Sequence, residues 1–462
     1  MFETFDTIDT IAAIATGLTN SGVGIIRISG PEAVAVGDRL FRSKKVTALK
    51  DVSTHTIHYG HIYDGEELVD EVLTSVMLAP HTFTGEDTVE INCHGGVMIM
   101  EKIVKLAVKC GARPAEPGEF SKRAFLNGKM DLTKAEAVME LIHASNEYAL
   151  KSSVNQLKGV VAEKIKSMRE RIIYEIAFIE SALDDPEHIS IDGYSEKLGG
   201  IVVGLIQEME TLLRTSKNGK LVKEGIKTVI VGRPNAGKSS FLNRLVGEER
   251  AIVTDIAGTT RDVLEETILL DGIQLNLVDT AGIRKTEDVV EKIGVERAKQ
   301  YADKADLIIH IIDASVALDT DDEEILSMIG DKKAVILLNK SDLTSVVKKA
   351  DIESKVGMPV IEISAKENTG IDDFIGTIKQ WFLSGEIDYN HEVIITNVRH
   401  EHLLEEALES LRMVQESVKA ELPEDFYSID LMNAYTSLGL IIGEEIEDDL
   451  VNEIFSKFCM GK

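Results

Sequence analysis

The sequence predicts a multidomain chain: an α+β N-terminal domain, an all-α helical domain in two pieces, and an α/β nucleotide-binding domain inserted between those pieces. Three observations predict it. Residues 1–120 carry strand-like apolar runs without the βαβ alternation of a parallel sheet. Over 121–219, and again over 385–462, glycine thins out, charge rises and apolar residues recur at helical spacing. Between them, residues 220–384 alternate short β-branched runs with helical stretches, and the first run enters Gly232-Arg233-Pro234-Asn235-Ala236-Gly237-Lys238-Ser239-Ser240.

In the N-terminal domain, Thr10-Ile-Ala-Ala-Ile-Ala-Thr16 and Gly22-Val-Gly-Ile-Ile-Arg-Ile-Ser29 read as strands around a turn. Val72-Leu-Thr-Ser-Val-Met-Leu78 and Thr88-Val-Glu-Ile-Asn-Cys93 read as half-buried or buried strands, and 95–110 as a helix. In the first helical piece, Ala137, Leu141 and Ala144, then Ile165, Met168, Ile172, Ile176 and Ile179, mark the buried faces of long antiparallel helices. A loop is expected near Asp184-Asp-Pro186, and Asn218-Gly219 is expected to end the stretch. The two pieces are expected to pack together, which an insertion tolerates where chain ends lie close.

The inserted domain is read from its motifs. Lys227-Thr-Val-Ile-Val-Gly232 is a buried-strand pattern, and Phe241-Leu-Asn-Arg-Leu-Val246 has helical spacing. Strand, G-x-x-x-x-G-K-S/T, helix is the context of a P-loop. Its glycines let the backbone approach phosphate, and amide N–H groups at the helix N-terminus face the anion. Lys238 is expected to reach the β- and γ-phosphates and the Ser239 hydroxyl to ligate Mg²⁺. Asp279-Thr280-Ala281-Gly282 ends a second apolar strand, 273–278, and places Asp279 at the Mg²⁺ shell and the Gly282 N–H at the γ-phosphate. Asn339-Lys340-Ser341-Asp342 ends a third strand. A carboxylate there accepts the N1–H and N2 amine of guanine, donors that adenine lacks, so GTP is expected. Ser364-Ala365-Lys366, after the run 360–363, borders the base.

Composition sets limits on the rest. The 462 residues suffice for about three domains. Lys and Arg number 50 against 79 Asp and Glu, a net charge of −29, the wrong sign for gripping nucleic acid over a broad surface. No signal peptide is expected, because 1–9 is acidic and no long apolar segment follows. No run reaches the ~18 apolar residues of a membrane span. Cys93, Cys110 and Cys459 have no pairing pattern and read as reduced thiols of a cytoplasmic protein.

Three features lie outside the nucleotide motifs. His55, His58 and His61 have a metal-like spacing but a strand-and-turn context, and they read as solvated residues rather than a zinc site. Glu444-Glu-Ile-Glu-Asp-Asp449 reads as a solvated helix face and dipole complement. Cys459, beside Lys457 and Lys462, has two readings: a thiol favoured as thiolate, or a buried apolar residue docking the last helix.

Beyond the GTPase motifs, Gly22-Val-Gly-Ile-Ile-Arg-Ile-Ser-Gly-Pro31, Phe83-Thr-Gly-Glu-Asp-Thr-Val-Glu90, Pro117 to Lys129, Asp255-Ile-Ala-Gly-Thr-Thr-Arg-Asp262 and the terminal Cys459-Met-Gly-Lys462 resemble the MnmE (TrmE) family of tRNA modification GTPases along the whole chain. The resemblance implies that the N-terminal domain binds folate and forms a homodimer, and that the inserted domain is Ras-like. It implies a partner flavoprotein, MnmG (GidA), carrying FAD in a heterotetramer or larger complex and supplying much of the tRNA contact. Together the two proteins of the family build carboxymethylaminomethyl or aminomethyl groups on C5 of the wobble uridine. A 5-formyl- or methylene-tetrahydrofolate is the implied one-carbon source. By position, folate contacts fall on Arg27, Glu90, Lys129 and Lys462.

The resemblance also implies how GTP is hydrolysed. Ile283 stands where Ras-like proteins carry the water-orienting Gln. Family members use K⁺ in place of an arginine finger, with ligands matching Asn235, Thr254, Ile256 and Thr259. Thr260 matches the switch threonine on Mg²⁺, Glu291 matches the water-positioning glutamate, and Asp255, Ala257 and Gly258 complete the switch loop. Cys459 would serve the modification chemistry. A different class of function, a regulatory GTPase acting as a binding switch in ribosome assembly, would need neither the N-terminal 120 residues nor Cys459.

Overall fold

The computed structural model describes residues 9–185, 187–190, 193–247, 251–253, 266–277, 305–329, 333–382, 395–444, 448–459 and 461. The chain divides into two compact units, one of Met1–Met139, Leu157–Arg169 and Tyr435–Lys462, the other of Glu140–Gln156 and Glu170–Ala434.

The first unit is built on a seven-stranded sheet. Its strands are β1 (Ile11–Ile14), β2 (Ser21–Ser29), β3 (Phe41–Arg42), β4 (Thr56–Asp64), β5 (Glu67–Met77), β6 (Thr88–Gly95) and β7 (Arg113–Pro114). They lie in the order β3-β4-β5-β6-β2-β1-β7, antiparallel except for the β1–β7 pair. The period-2 alternation puts Ile26, Ile28, Val72, Val76, Val89 and Ile91 on one face. There they bury against α1 (Ala33–Leu40) and α2 (Val97–Lys109), through Val36, Leu40, Met100, Ile103 and Leu106. On the other face, Ile11, Ala13 and Ala115 pack on Phe120 of α3 (Glu119–Leu126).

A third cluster joins α4 (Leu132–His143) to the chain's end, where Leu132 and Ala135 pack with residues 451, 455 and 458. Arg169, buried in this unit, stacks on Tyr435 at 3.9 Å and pairs with Glu444.

Helices then dominate: α5 (Glu147–Leu157), α6 (Val160–Asp184) and α7 (Tyr194–Glu224). Ile165, Met168, Ile172, Ile176 and Ile179 are all buried, as their spacing predicts. Asn218-Gly219 does not end a helix, contrary to expectation, because α7 runs through it to Glu224. Flanking Lys, Leu and Glu are strong helix formers and outweigh a penalty of about 1 kcal/mol for one glycine. The break comes at Gly225, with φ +79, where a Cβ would meet the Gln274 side chain at 2.8 Å.

The second unit holds a seven-stranded sheet of β8 (Ile226–Val231), β9 (Ala251–Val253), β10 (Glu266–Leu270), β11 (Ile273–Leu277), β12 (Leu307–Asp313), β13 (Ala334–Asn339) and β14 (Val360–Glu362). The order is β14-β13-β12-β8-β11-β10-β9. From β14 to β11 the neighbours are parallel; β10 and β9 pair antiparallel. The helices alternating with these strands are α8 (Lys238–Gly247), α9 (Thr320–Ile329), α10 (Lys349–Glu353) and α11 (Ile371–Phe382). Strands β12 and β13 are buried along their whole length, as expected of parallel strands covered on both faces. Phe241 meets Phe374 edge-on at 5.4 Å in the core. α12 (Val398–Lys419) packs along α7, and α13 (Glu424–Ile442) and α14 (Asp448–Ser456) complete the chain. The multidomain class with α+β, helical and P-loop α/β parts is borne out. Among the described residues no helix is long and apolar enough to cross a membrane.

Candidate functional site

The nucleotide motifs gather at the carboxyl ends of the parallel strands, where ligands of open α/β sheets bind. β8 ends at Val231 and the loop to α8 begins with Gly232 at φ +147. A Cβ there would lie 2.3 Å from the Ile311 carbonyl oxygen, so only glycine lets the loop cross β12. Gly237 has φ +100, and a Cβ on it would lie 2.0 Å from Asn339 Nδ2. Ala236 is buried between these glycines, and Asn235 takes a left-handed φ of 61. Lys238, Ser239 and Ser240 form the first turn of α8, so the helix N-terminus and its dipole face the phosphate position. Lys238 Nζ donates to the carbonyls of Gly232 at 2.7 Å and Arg233 at 2.8 Å.

One side chain ties three motifs together. Asn339, at the end of β13, donates through Nδ2 to the Ala236 carbonyl at 2.9 Å. Its Oδ1 accepts from the Ala365 amide at 3.1 Å. Asp342, expected to read the base, accepts the Ser364 hydroxyl at 2.7 Å, and that bond holds its carboxyl below the usual range. A guanine would meet an ionised acceptor there.

Lys340 has a left-handed φ of 64 and its Nζ lies 2.6 Å from Asp313 Oδ2. Burial works to raise the Asp313 carboxyl, but hydrogen bonds from Lys340 and Ser315 outweigh it and keep it ionised. Sequence reading missed Asp313. Its signal was an Asp at the carboxyl end of an apolar strand. Thr254 to Thr260, Asp279 to Gly282, Ile283 and Glu291 lie outside the described residues. The cradle fits a nucleoside triphosphate on the glycine evidence. Of the residues expected at Mg²⁺, Ser239 falls within the described residues, and of those expected at K⁺, Asn235 does.

A second constellation lies in the first unit. Arg27 on β2 and Glu90 on β6 are register partners, and Arg27 Nε donates to Glu90 Oε1 at 2.8 Å. The guanidinium lies between two rings, 5.7 Å from the centre of Phe83 and 5.6 Å from that of Phe120. Its Nη1 donates to the carbonyl of Gly461, 434 residues away in sequence, at 3.2 Å. The Gly118 amide donates to the Cys459 carbonyl at 3.3 Å. The chain's end is thereby seated on β1: Gly461 has φ +83, and a Cβ would lie 2.1 Å from the Ile14 carbonyl oxygen.

Cys459 is exposed, and the docking role falls to its buried neighbours Phe455 and Phe458. Lys129, exposed, donates instead to the Pro80 carbonyl at 2.6 Å. Lys462 lies outside the described residues.

Buried ion pairs hold this site's floor. Arg123, 2% exposed, pairs with Asp9 at 2.6 Å, Glu119 at 3.0 Å and Glu86 at 3.1 Å. Glu86 in turn accepts the Ser29 hydroxyl at 2.8 Å, two residues along β2 from Arg27. The network fixes α3, and with it Phe120, against the sheet. Phe120, the Gly461 carbonyl and this network were not picked out from sequence, because each contact joins distant segments.

Among the described residues no three His, Cys, Asp or Glu side chains form a metal-like group. His55 and His58 bond to Thr54 and Thr56, and His61 lies between the Tyr59 and Tyr63 rings. In the acidic run, Glu444 pairs with Arg169 and α14 opens at Asp448; 445–447 lie outside the described residues.

Comparison with known proteins places the chain in a family. The family described as GTP-binding protein TrmE N-terminus matches residues 10–129, and that described as MnmE helical domain matches 132–459. The tRNA modification GTPase MnmE of Lachnoclostridium phytofermentans is 57% identical over 455 residues, 98% of this chain and 99% of its own. That of Acetivibrio thermocellus is 48% identical over 461 residues, 98% and 99% of the two chains. That of Bacillus subtilis is 43% identical over 458 residues, 98% of this chain and 100% of its own. Identity of that order over nearly the whole length, on a chain that carries a P-loop, means that it belongs to the MnmE (TrmE) family of tRNA modification GTPases, a GTP hydrolase whose activity is tied to tRNA modification.

Proposed function

We propose that this GTPase is activated by K⁺ and works as a homodimer in the cytoplasm with a FAD-carrying MnmG (GidA) partner. The pair would install a carboxymethylaminomethyl or aminomethyl group at C5 of the wobble uridine of certain tRNAs. The observation that carries this reading is the meeting of Arg27, Glu90 and the Gly461 carbonyl, which brings Gly461 to the N-terminal sheet. A GTP switch has no need of such a site. A cation–carboxylate pair between two aromatic rings suits a folate, whose pterin stacks and whose glutamate tail is anionic. A bound tetrahydrofolate would supply the one-carbon unit. Arg27 and Glu90 would orient it, Lys129 and Lys462 would take its carboxylates, and Cys459 presents a thiol at the rim.

In the nucleotide site, Lys238 would leave its backbone carbonyls for the phosphates, and Asn339, Lys340 and Asp342 would hold the base with Ser364 and Ala365. Bound Mg²⁺ and K⁺ would neutralise charge developing on the phosphates. Ser239, Thr260 and Asp279 are assigned to the first, and Asn235, Thr254, Ile256 and Thr259 to the second. Glu291 is assigned to water positioning. The domain division proposed is 1–120, 121–219 with 385–462, and 220–384. The net charge of −29 supports leaving most phosphate contact with tRNA to the partner.

Calorimetric titration of the full chain with 5-formyltetrahydrofolate tests the folate site. Saturable binding that Arg27→Ala abolishes is expected; no binding by a folded wild type would overturn it. Hydrolysis should run faster in KCl than in NaCl at equal ionic strength, and equal rates would remove K⁺ from the mechanism.

A further inference from the structure

The second residue of the phosphate loop is anchored to a helix that contains no nucleotide motif. α9 is capped by Asp319, whose Oδ1 accepts the amides of Asp321 and Asp322, both at 3.0 Å. Asp322 Oδ2 reaches back to the Asp319 amide at 3.4 Å, the reciprocal arrangement of a capping box. The same Oδ2 lies 3.5 Å from Nη1 of Arg233. That nitrogen also donates to the Ala317 carbonyl at 3.3 Å and Asp319 Oδ2 at 3.4 Å. Three acceptors from one helix start therefore converge on one guanidinium.

The burial is unusual for a cap. A carboxylate in a helix's first turn is ordinarily solvated, but the Asp322 side chain has 0% exposure and that of Arg233 has 13%. A buried charge persists only when paired. On the inner side lies His310 of β12, also 0% exposed, its Nε2 3.9 Å from Asp322 Oδ1. Burial, and then the charge of Lys238, push the His310 ring down to about 4, so it is neutral and does not balance Asp322. Asp322 Oδ1, Arg233 Nη2 and both His310 ring nitrogens have no hydrogen-bond partner among the described residues. Burial raises the Asp322 carboxyl above its ordinary value, and the Arg233 guanidinium is the charge that opposes that rise, so the two side chains hold one another.

The backbone of Arg233 faces the other way. Its carbonyl accepts Lys238 Nζ at 2.8 Å and the Ala236 amide at 3.4 Å. Fixing the side chain therefore fixes the entry to the loop whose amides cradle phosphate. We propose that Asp322 is a positioning residue for GTP: through Arg233 it sets the geometry of the phosphate loop, and hence the affinity for the nucleotide. The loop contacts phosphate in ground and transition states alike, so the effect falls on KM rather than on kcat.

Asp322→Asn separates this role from helix capping. The amide oxygen still accepts the Asp319 N–H, while the charge opposite Arg233 is lost. The expected result is a GTP KM raised about tenfold, the equivalent of one charge-assisted hydrogen bond, with kcat within about twofold. GDP affinity, read by fluorescence with a labelled nucleotide, should fall by a similar factor. Arg233→Gln should do the same, and the double variant should bind no more weakly than the weaker single, because both remove one interaction. A lowered thermal midpoint with unchanged KM would reduce Asp322 to a cap and overturn the proposal, as would rises in KM that multiply in the double variant. If Asp322→Asn does not fold, Arg233→Gln and Arg233→Lys decide. A raised KM in the first, partly restored in the second, supports the proposal; wild-type KM in both overturns it.

Discussion

Replacing Gly461 by alanine should disconnect the chain's end from the N-terminal sheet while sparing the nucleotide site. The seat of this segment rests on the Arg27–Gly461 hydrogen bond at 3.2 Å and the Gly118–Cys459 hydrogen bond at 3.3 Å. A charge-assisted bond contributes about 1.5 kcal/mol and a neutral one about 1 kcal/mol. Together they hold the docked form at about 98% of the population. Alanine at φ +83 costs about 1–2 kcal/mol by itself. Its Cβ would also lie 2.1 Å from the Ile14 carbonyl oxygen, a backbone atom of a paired strand that cannot swing away. Strain and overlap together exceed the hold, so the docked population should fall below about 10%.

Phe455 and Phe458 stay buried upstream, so the loss is limited to the roughly 2.5 kcal/mol of the two bonds, and the thermal midpoint should fall by about 5–10 °C without loss of the fold. The assay is nucleoside analysis of tRNA from cells whose only copy carries Gly461→Ala, beside phosphate release from GTP by the purified variant. Modified wobble uridine should drop about tenfold while hydrolysis stays within about twofold. Full modification in this variant would refute the reasoning, since it would mean that the Arg27–Gly461 contact does not serve the chemistry.

Two further outcomes are expected. Asp342→Asn replaces an acceptor of guanine's two donors by an amide, so GTP affinity should fall about a hundredfold or more and xanthosine triphosphate should gain, as competition binding would show; unchanged preference would mean that Asp342 does not read the base. His310 titrates near 6.5 when unfolded and near 4 when folded, chiefly through burial. Between those values the unfolded chain binds more protons, so stability declines as pH falls from about 6.5 towards 4, by up to about 3 kcal/mol from this group. Denaturant midpoints across that range should fall less steeply for His310→Leu than for the wild type, and equal slopes would contradict the assignment.

Much of this was legible in sequence because the signals are local. Strand, glycine loop and helix occupy one continuous stretch around Lys238, and Asn339 and Asp342 follow an apolar strand directly. The helix through Ile165 to Ile179 declares itself by period. What was not legible depends on long closure. Arg27 could be named from its neighbours, but nothing near it announces that Gly461 will lie against it. Asp322 reads as an ordinary acidic first turn until the fold shows its carboxylate turned inward to Arg233. Asn218-Gly219 carries a strong turn signal in isolation, yet it was overridden by the helix formers around it, while the true break at Gly225 is set by Gln274 and Asn276 on a strand not yet formed.

That continuous helix has a mechanical consequence. α7 comprises 31 residues, about 46 Å at 1.5 Å each, and only Gly225 separates it from β8, the strand that delivers the phosphate loop. A stiff rod joined to the nucleotide sheet by one glycine is a lever with a short arm and a long one. A tilt of about 5° at Gly225 would sweep the far end of the rod through about 4 Å. Small adjustments around a phosphate would be magnified there, and a load on the far end would be felt, demagnified, at the loop.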